Sequence, residues 1–398
     1  MVLVRHLCAN PGLSRADLAE AVGLTKSTVS LLVRELLDEG WLLEREIVAT
    51  GDLGRRPTPL FIDPSRLVLL GAEVDIDSVR VVTVSLTGEV LSRASANHGS
   101  TKSVKSCVAA LTAAMSKLCK QLDPARQRII GIGVGLPGGV DEANGILRFA
   151  PNLAWRDVPF GDLLREKIAG TALAGTPLFL QNEADVAALG ELEFSAPQAS
   201  DPLLYVSLNQ GVGAGVIVGG RLLTGSRGFA GEVGHIVLQL NGPACSCGRR
   251  GCAEALIGPR AMLQRSDEQD PALSPLAVVR ERLAAGDAPT LKAINKAGSY
   301  LGMLLQNLAA AYDPARIVLG GAVVELGDAF LKPALKTLND YAAAANLEPP
   351  LVQTSRFGAD AVAVGAAALV RHRLTRNVLV PVPEGQAAAR STRDAGIA

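Results

Sequence analysis

Apolar residues recur every three or four positions in two short segments near the N-terminus, the spacing of one buried helix face. Ser14 can cap the first helix with Asp17 as its capping-box partner, and Thr25 can cap the second after a break at Gly23. The inward positions are Leu18, Ala19, Val22, Val29, Leu32, Val33 and Leu36. The small residue, the glycine turn and the apolar anchors are spaced as in a helix-turn-helix, which we predict within residues 14–44.

The second helix leaves short polar and basic side chains pointing outward. They are Thr25, Lys26, Ser27, Thr28, Ser30 and Arg34. Short donors at the start of a helix fit phosphates and base edges in the major groove, so these residues are candidates for DNA binding. The alternative is an ordinary helical hairpin with a solvated polar face. Acidic residues slightly outnumber basic ones in this region, so the prediction depends on where the charges lie.

The segment that follows has the pattern of a wing. A strand is predicted over residues 41–48 and a turn over 51–54, and Arg55 and Arg56 follow on an extended backbone. Two guanidinium groups behind Gly54 suit a narrow minor groove, where the negative potential of DNA is enhanced. A solvated basic linker is the alternative.

From Leu67 onward, buried strands replace the helical pattern. Strands are predicted at 67–74, 79–84 and 89–91, a helix at about 104–122, and a strand at 129–139 that runs into a glycine-rich loop. A second series of strands begins at Leu203. This duplication resembles the actin-like, ribonuclease-H-like fold of sugar kinases, in which two lobes enclose a cleft. A helix at 361–373 is expected to pack on the first lobe, and residues 377–398 are expected to be disordered.

Candidate metal ligands are concentrated in residues 231–254, GEVGHIVLQLNGPACSCGRRGCAE. One imidazole and three thiolates, from His235, Cys245, Cys247 and Cys252, supply the four donors of a structural zinc site. A disulfide fits less well, because Cys245 and Cys247 are too close to bridge comfortably and one thiol would be left over. Unpaired thiols beside an incidental histidine are the other alternative.

The same segment resembles the zinc signature of the ROK family, named for repressors, open reading frames and kinases. The pattern E-x-x-H, then C-x-C-G-x-x-G-C-x-E, occurs at 232–235 and 245–254. The resemblance extends from about residue 69 to about 374, and the N-terminal segment resembles the DNA-binding head of the family's repressors. It implies an α/β protein with a winged helix-turn-helix domain (1–64) and a two-lobed ROK effector domain (65–376). The small lobe would comprise about 65–185 with the helix 361–373, and the large lobe about 186–360.

In the ROK family, the residues that match a particular set in this chain contact sugar hydroxyls. That set is Gly138, Asn152, Asn182, Glu183, Glu232, His235 and Glu254. A zinc-bound histidine can do both jobs, because its second ring nitrogen is left for a hydroxyl. For each residue singly, a capping or turn hydrogen bond is the alternative. Glu142, Asp157 and Asp185 are interpreted as surface or capping residues.

A kinase of this family would hold ATP phosphates on two glycine-rich hairpins. The first, roughly D-x-G-G-T in kinases, is here 73–77, EVDID, and its carboxylates would repel a triphosphate. The second has Asn209-Gln210 where Gly-Thr is usual, although the adenosine-side loop at 317–321 is retained. Glu183 replaces the catalytic aspartate, and a misplacement near 1 Å can lower a rate about a hundredfold. We expect a cleft that binds sugar without phosphorylating it, and glutamate after asparagine is the pattern of the family's xylose-type repressors.

Composition adds two exclusions. The 398 residues have a formal net charge of zero, so no overall field favours nucleic acid or a membrane. No apolar run reaches the length of a membrane span and the N-terminus lacks a signal-peptide pattern, so with zinc-type cysteines we expect a cytoplasmic protein.

The function predicted is a sugar-responsive DNA-binding regulator that represses carbohydrate-utilisation genes until sugar binds. Because one head reads one half-site, it is expected to bind operator DNA as a homodimer or a dimer of dimers. The first alternative is an ATP-dependent sugar kinase with an appended helix-turn-helix. The second is a sugar-binding module whose head contacts another protein.

Overall fold

The computed structural model describes residues 1–45, 58–99, 103–195, 201–226, 228–263 and 274–376. The predicted minor-groove residues Arg55 and Arg56 and the tail 377–398 lie outside this range. No helix within the described ranges is both long enough and apolar enough to cross a membrane.

Three helices and a two-stranded antiparallel sheet form the N-terminal head. They are α1 (Val2–Ala9), α2 (Arg15–Val22), α3 (Lys26–Asp38), β1 (Leu42–Glu44) and β2 (Leu60–Ile62). Ser14 and Asp17 form the predicted capping box, and the Thr25 hydroxyl accepts the Thr28 N–H. Gly23 ends α2 with φ of 66°, a conformation that glycine adopts without the usual steric cost. The helix-turn-helix is therefore present as predicted, and α1 precedes it in the apolar helical pattern around Cys8.

The first lobe is built on a five-stranded mixed sheet. Its strands are β3 (Leu67–Val74), β4 (Ser78–Ser85), β5 (Val90–Asn97), β6 (Arg128–Leu136) and β10 (Leu178–Asn182), in the order β10-β6-β3-β4-β5. β3, β6 and β10 run parallel, and β4 and β5 are antiparallel additions. Helix α4 (Val104–Cys119) packs on β4 and β5 and ends before the predicted residue 122.

Between β6 and β10 the chain forms a small separate sheet. It consists of β7 (Gly139–Asp141), β8 (Ile146–Ala150) and β9 (Trp155–Val158), followed by helix α5 (Phe160–Ile168). The sequence pattern did not indicate this sheet, because its strands are short and only partly apolar. It carries Asn152 in the 3-10 turn between β8 and β9, which brings that residue toward the cleft.

The second lobe repeats the strand order of the first. Its strands are β11 (Leu203–Leu208), β12 (Val212–Val218), β13 (Arg221–Leu222), β14 (Arg316–Gly320) and β15 (Leu351–Thr354), in the order β13-β12-β11-β14-β15. Its helices are α7 (Ala253–Ile257), α8 (Pro275–Ala284), α9 (Ala288–Tyr312) and α10 (Asp328–Ala344). In each sheet the strand that comes first in the chain, β3 or β11, lies at the centre. On one side of it are two parallel strands, and on the other side are two strands that pair antiparallel with their neighbours. This duplication confirms the predicted actin-like α/β fold.

Two helices join the lobes and the head. Helix α6 (Glu183–Phe194) packs on β11 and β12, and helix α11 (Ala361–Arg376) packs on β3, β6, α6 and α1. The predicted C-terminal helix on the first lobe is therefore confirmed, and α11 extends three residues further than predicted. Buried apolar residues of the head, α6, α11 and both sheets form one continuous cluster.

Candidate functional site

A cavity of about 400 Å³ lies between the lobes, and all seven predicted sugar-binding residues line it. They are Gly138, Asn152, Asn182, Glu183, Glu232, His235 and Glu254. Several of the lining segments follow strand ends, because the carboxyl ends of parallel β3, β6 and β10 meet at this edge of the first sheet. Side chains that are far apart in sequence therefore converge on one volume.

Asn182 holds two of these segments together. Its side-chain oxygen caps α6 by accepting the Ala184 and Asp185 N–H groups, at 2.8 and 3.3 Å, and its amide donates to the Gly138 carbonyl at 2.9 Å. The helix-capping hydrogen bonds that were the alternative role for Asn182 are therefore present, and one of its two amide N–H groups remains for a ligand. Gly138 has φ of 87°, and a Cβ there would lie 2.0 Å from the Phe149 carbonyl oxygen, so this close turn requires glycine.

The four predicted metal ligands form one cluster. The donor atoms of His235, Cys245, Cys247 and Cys252 all lie within 4.8 Å of one another. The Cys247 and Cys252 sulfurs are 3.7 Å apart, as are the Cys245 sulfur and His235 Nδ1. A tetrahedral ion with bonds of about 2.3 Å to sulfur keeps its ligands about 3.8 Å apart, so this donor set fits a metal and is too wide for a disulfide.

The cluster also fixes residues of the cavity wall. With His235 Nδ1 facing Cys245, the other ring nitrogen Nε2 lies 3.9 Å from a Glu232 carboxylate oxygen. Glu254, two residues after Cys252, accepts the Val212 N–H at 3.3 Å and the Ser246 hydroxyl at 3.1 Å. A Cβ on Gly251 would lie 1.7 Å from the Gln239 carbonyl oxygen, so the loop is folded back tightly on itself.

Family models match both parts of this architecture. The ROK family model matches residues 70–373, and a winged helix-turn-helix DNA-binding model matches residues 3–42. The chain belongs to the ROK family.

Its relatives include both regulators and kinases. The xylose repressor of Bacillus subtilis (strain 168) is 32% identical over 327 residues, which cover 81% of this chain and 82% of that protein. A crystal structure of a ROK family transcriptional regulator, described as a homologue of the E. coli MLC protein, has a TM-score of 0.74 at 23% identity, covering 94% of this chain and 95% of that one. A ROK family glucokinase from Streptomyces griseus, in complex with glucose and AMPPNP, has a TM-score of 0.65 at 26% identity, covering 77% and 99%.

The two hairpins that would face nucleotide phosphates in a ROK kinase differ from glycine-rich phosphate loops. Asp75 and Ile76 line the cavity, whereas the Asp77 carbonyl accepts the N–H groups of His98 and Gly99, and Asp77 is not among the lining residues. In the second hairpin the Asn209 side chain accepts the Ala322 N–H at 2.8 Å. The backbone donor next to the retained glycine loop is therefore already occupied.

Glu183, the first residue of α6, lines the cavity. Burial raises the pKa of its carboxyl to about 8, and the nearby carboxylates of Glu73, Asp75, Glu232 and Glu254 act in the same direction. A carboxyl with this pKa is largely protonated at pH 7, so it can donate a hydrogen bond to a ligand.

The position of Asp185 differs from the interpretation made from the sequence. It was grouped with surface and capping residues, but it is 4% exposed, and one of its carboxylate oxygens lacks a hydrogen-bond partner among the described residues. Burial raises its pKa well above the usual value, with Glu232 and Glu142 contributing. Glu142 pairs with Arg373, whereas Asp157 is exposed as interpreted. Local sequence cannot reveal this burial, because it depends on how α6 packs between the lobes.

The predicted DNA-binding residues that fall in the described range lie together at the surface of the head. Thr25, Lys26, Ser27, Thr28, Ser30 and Arg34 are all exposed at or near the N-terminal half of α3. Thr25 bonds to the hydroxyls of Ser27 and Thr28, at 2.9 and 2.8 Å, so part of this polar group is engaged locally. The surface also includes Leu31, which is 58% exposed and was not predicted as a contact.

Proposed function

We propose that this ROK protein is a sugar-responsive transcriptional repressor whose effector domain binds sugar and whose head binds operator DNA. The observation that carries the proposal is the combination of one cavity containing the seven family-type sugar residues with a helix-turn-helix in the same chain. The similarity to a xylose repressor along most of the chain supports it. We propose D-xylose as the first sugar to test.

We infer that His235 and the three cysteines hold a structural zinc ion. Three thiolates and an imidazole are the ligands that zinc prefers, and their spacing supports this choice. Bound zinc would contribute folding energy and fix the loop, with no open coordination position for chemistry. It would hold His235 Nε2 and Glu254 at the cavity wall, where both could hydrogen-bond a sugar.

In this proposal a sugar is recognised by an arrangement of acceptors and donors. The carboxylates of Glu232 and Glu254 accept from hydroxyls, and the Asn152 amide and the protonated Glu183 carboxyl donate to them. A site built on such pairs discriminates against ligands that lack a matching hydroxyl, because buried polar groups would be left without partners.

We propose that the cleft does not catalyse phosphoryl transfer. Glu183 stands where a ROK kinase has an aspartate as its base, and its side chain is one methylene longer, so its carboxylate would be misplaced by about 1 Å, which can lower a rate about a hundredfold. Asp75 at the first hairpin would place negative charge near a triphosphate, and Asn209 occupies a donor at the second. Together these features support a sensor over a kinase.

The head is proposed to contact DNA through α3 and the wing. Lys26, Ser27, Ser30 and Arg34 would lie in the major groove, and Arg55 and Arg56 in the minor groove. We propose a homodimer, since two heads are needed to read two half-sites.

The direct test is binding of the zinc-loaded protein to DNA fragments selected from the region upstream of its own gene. We expect salt-dependent binding that D-xylose or another single sugar weakens, with Arg34→Ala lowering affinity and exposed Lys336→Ala as the control. Absence of specific binding at modest salt would refute the regulator. ATP-dependent turnover of a hexose or pentose, abolished by Glu183→Gln, would instead establish the kinase.

A further inference from the structure

Helix α6 connects the sugar cavity to the region beneath the head. Asn182 caps its first turn, and Asn182 and Glu183 both line the cavity. Its last residues, Glu193 and Phe194, contact the C-terminal part of α11. One rigid element therefore touches the ligand site at one end and α11 at the other.

The two helices cross with their backbones in contact. A Cβ on Gly190 of α6 would lie 3.1 Å from the Gly365 Cα, and a Cβ on Gly365 would lie 2.1 Å from the Val186 carbonyl oxygen. On its opposite side α6 is equally close to the second lobe, because a Cβ on Gly215 of β12 would lie 2.4 Å from the Ala184 carbonyl oxygen. With backbone atoms this close on both sides, α6 has little room to yield, so we expect motion of the second lobe to move α6 against α11.

A buried ionic cluster marks the far end of α6. The Glu193 carboxylate lies 3.0 Å from Arg371 Nε, 2.9 Å from His372 Nδ1 and 3.4 Å from Arg376 Nε. The side chains of Glu193, Arg371 and His372 are each less than a tenth exposed. A cluster of this kind is sensitive to geometry, because separating buried charges leaves each one unpaired.

The partners of the cluster come from both lobes. Arg371 also donates to the Leu86 carbonyl of the first lobe at 2.8 Å, and Arg376 donates to the Gly220 carbonyl of the second at 2.6 Å. The guanidinium of Arg371 stacks on the Phe194 ring at 4.4 Å. Any change in the angle between the lobes must therefore stretch at least one of these contacts.

The head rests on the same part of α11. Helix α1 packs against α11, and apolar residues of the head belong to the buried cluster that includes α6 and α11. Cys8 of α1 is close enough that the charges of Arg371, Glu193 and Arg376 act on its thiol, although burial is the main cause of its raised pKa. A shift of the ionic cluster would consequently move the part of α11 against which α1 packs.

We propose that α6 is the lever by which sugar binding is communicated to the DNA-binding head, with its pivot at Gly190–Gly365 and Glu193 as its head-side contact. The proposal deepens the proposed function and rests on it. At a rise of about 1.5 Å per residue, the arm from Glu183 to the pivot is about 10 Å and the arm to Glu193 about 5 Å. Closure of the cleft on a sugar moves one end, and the other end moves about half as far in the opposite sense. Glu193 is thus a positioning residue that touches neither sugar nor DNA.

The experiment measures the coupling between the two ligands. The Kd for D-xylose, or for the sugar found by thermal shift, is determined without and with selected operator DNA, and the Kd for DNA without and with sugar. The two ratios must agree, because coupling is reciprocal. We expect Glu193→Gln and the milder His372→Gln to reduce this coupling factor at least severalfold toward one. Each single-ligand Kd should stay within about threefold of wild type.

Two further variants separate coupling from loss of stability. Gly190→Ala forces the helices slightly apart at the pivot and should also lower the coupling factor. Leu305→Ala removes buried volume from α9 of the second lobe, away from the crossing, and should lower the melting temperature while leaving coupling intact. If Glu193→Gln fails to fold, His372→Gln and Gly190→Ala decide the question.

The outcomes distinguish the lever from the function on which it rests. Folded variants at Glu193, His372 and Gly190 that all keep the wild-type coupling factor would overturn the lever alone. Wild-type protein that binds sugar and DNA without any coupling would overturn the proposed function as well.

Discussion

Replacing Glu183 by glutamine should stabilise the sugar-free protein and flatten the dependence of its stability on pH. The unfolded carboxyl has a pKa of 4.5, and burial beside other carboxylates raises the folded value to about 8. Because the folded protein holds this proton more tightly, the stabilising contribution is complete below about pH 4.5 and is lost as pH rises toward 8. Glutamine keeps the shape and the hydrogen bonding and never ionises.

The size of the effect follows from the same values. At pH 7 the unfolded chain gains about 3 kcal/mol by ionising this group, a gain that the folded protein lacks almost entirely. Because Glu183 is partly open to the cleft, we expect about 2 kcal/mol of stabilisation in Glu183→Gln, or roughly 3 °C in melting temperature.

The assay is thermal and urea unfolding of zinc-loaded wild type and variant between pH 5 and 8. The quantity of interest is the difference between the two curves, since Glu73, whose pKa burial raises to about 7, titrates in both proteins. Glu89→Gln, at an exposed turn, is the matched control and should leave the wild-type curve unchanged. Parallel curves for wild type and Glu183→Gln would show that the folded protein does not raise the pKa of Glu183, and the reasoning from its burial would be refuted.

Three other predictions test the metal, the cavity and the DNA surface. Removing zinc by chelation, or Cys247→Ser, should lower the melting temperature by several degrees and abolish sugar binding, measured by calorimetry; unchanged sugar affinity would refute the role of the loop. Gly138→Ala should weaken sugar binding about tenfold or more while sugar-free operator binding is retained, because its Cβ would collide with the Phe149 carbonyl oxygen. Leu31→Ala should lower operator affinity about fivefold through loss of contact with a thymine methyl. Replacing that thymine by deoxyuridine should then weaken wild type but not the variant, and equal losses in both would contradict the contact.

Features set by nearby residues were predictable from the sequence. The capping box at Ser14, the turn at Gly23 and the cluster of four candidate metal ligands each involve residues within about twenty positions of one another. Local geometry restricts such segments strongly, so residue type and spacing are informative. Repetition of strand patterns was equally informative for the fold, because two lobes with the same strand order leave the same succession of apolar segments.

Features set by packing were not predictable in the same way. The small sheet of β7 to β9 has strands too short for a clear alternation, and the burial of Asp185 depends on both lobes enclosing α6. The partners of Glu193 lie 178 and more residues away in sequence, so nothing around Glu193 marks it as different from a surface carboxylate.

The position of α6 explains why these less predictable features concentrate on one element. A helix that carries Glu183 into the cavity, Asp185 into the interior and Glu193 into an ionic cluster has almost no face left for solvent. Between Asp185 and Glu191 it consists only of Val, Ala, Leu and Gly residues, whose small or apolar side chains allow backbone contact on two sides. Such packing leaves few intermediate positions, since close-packed interfaces shift between discrete arrangements instead of deforming continuously. An element with this property is suited to a sensor, in which a small movement at the sugar must be passed on to the head.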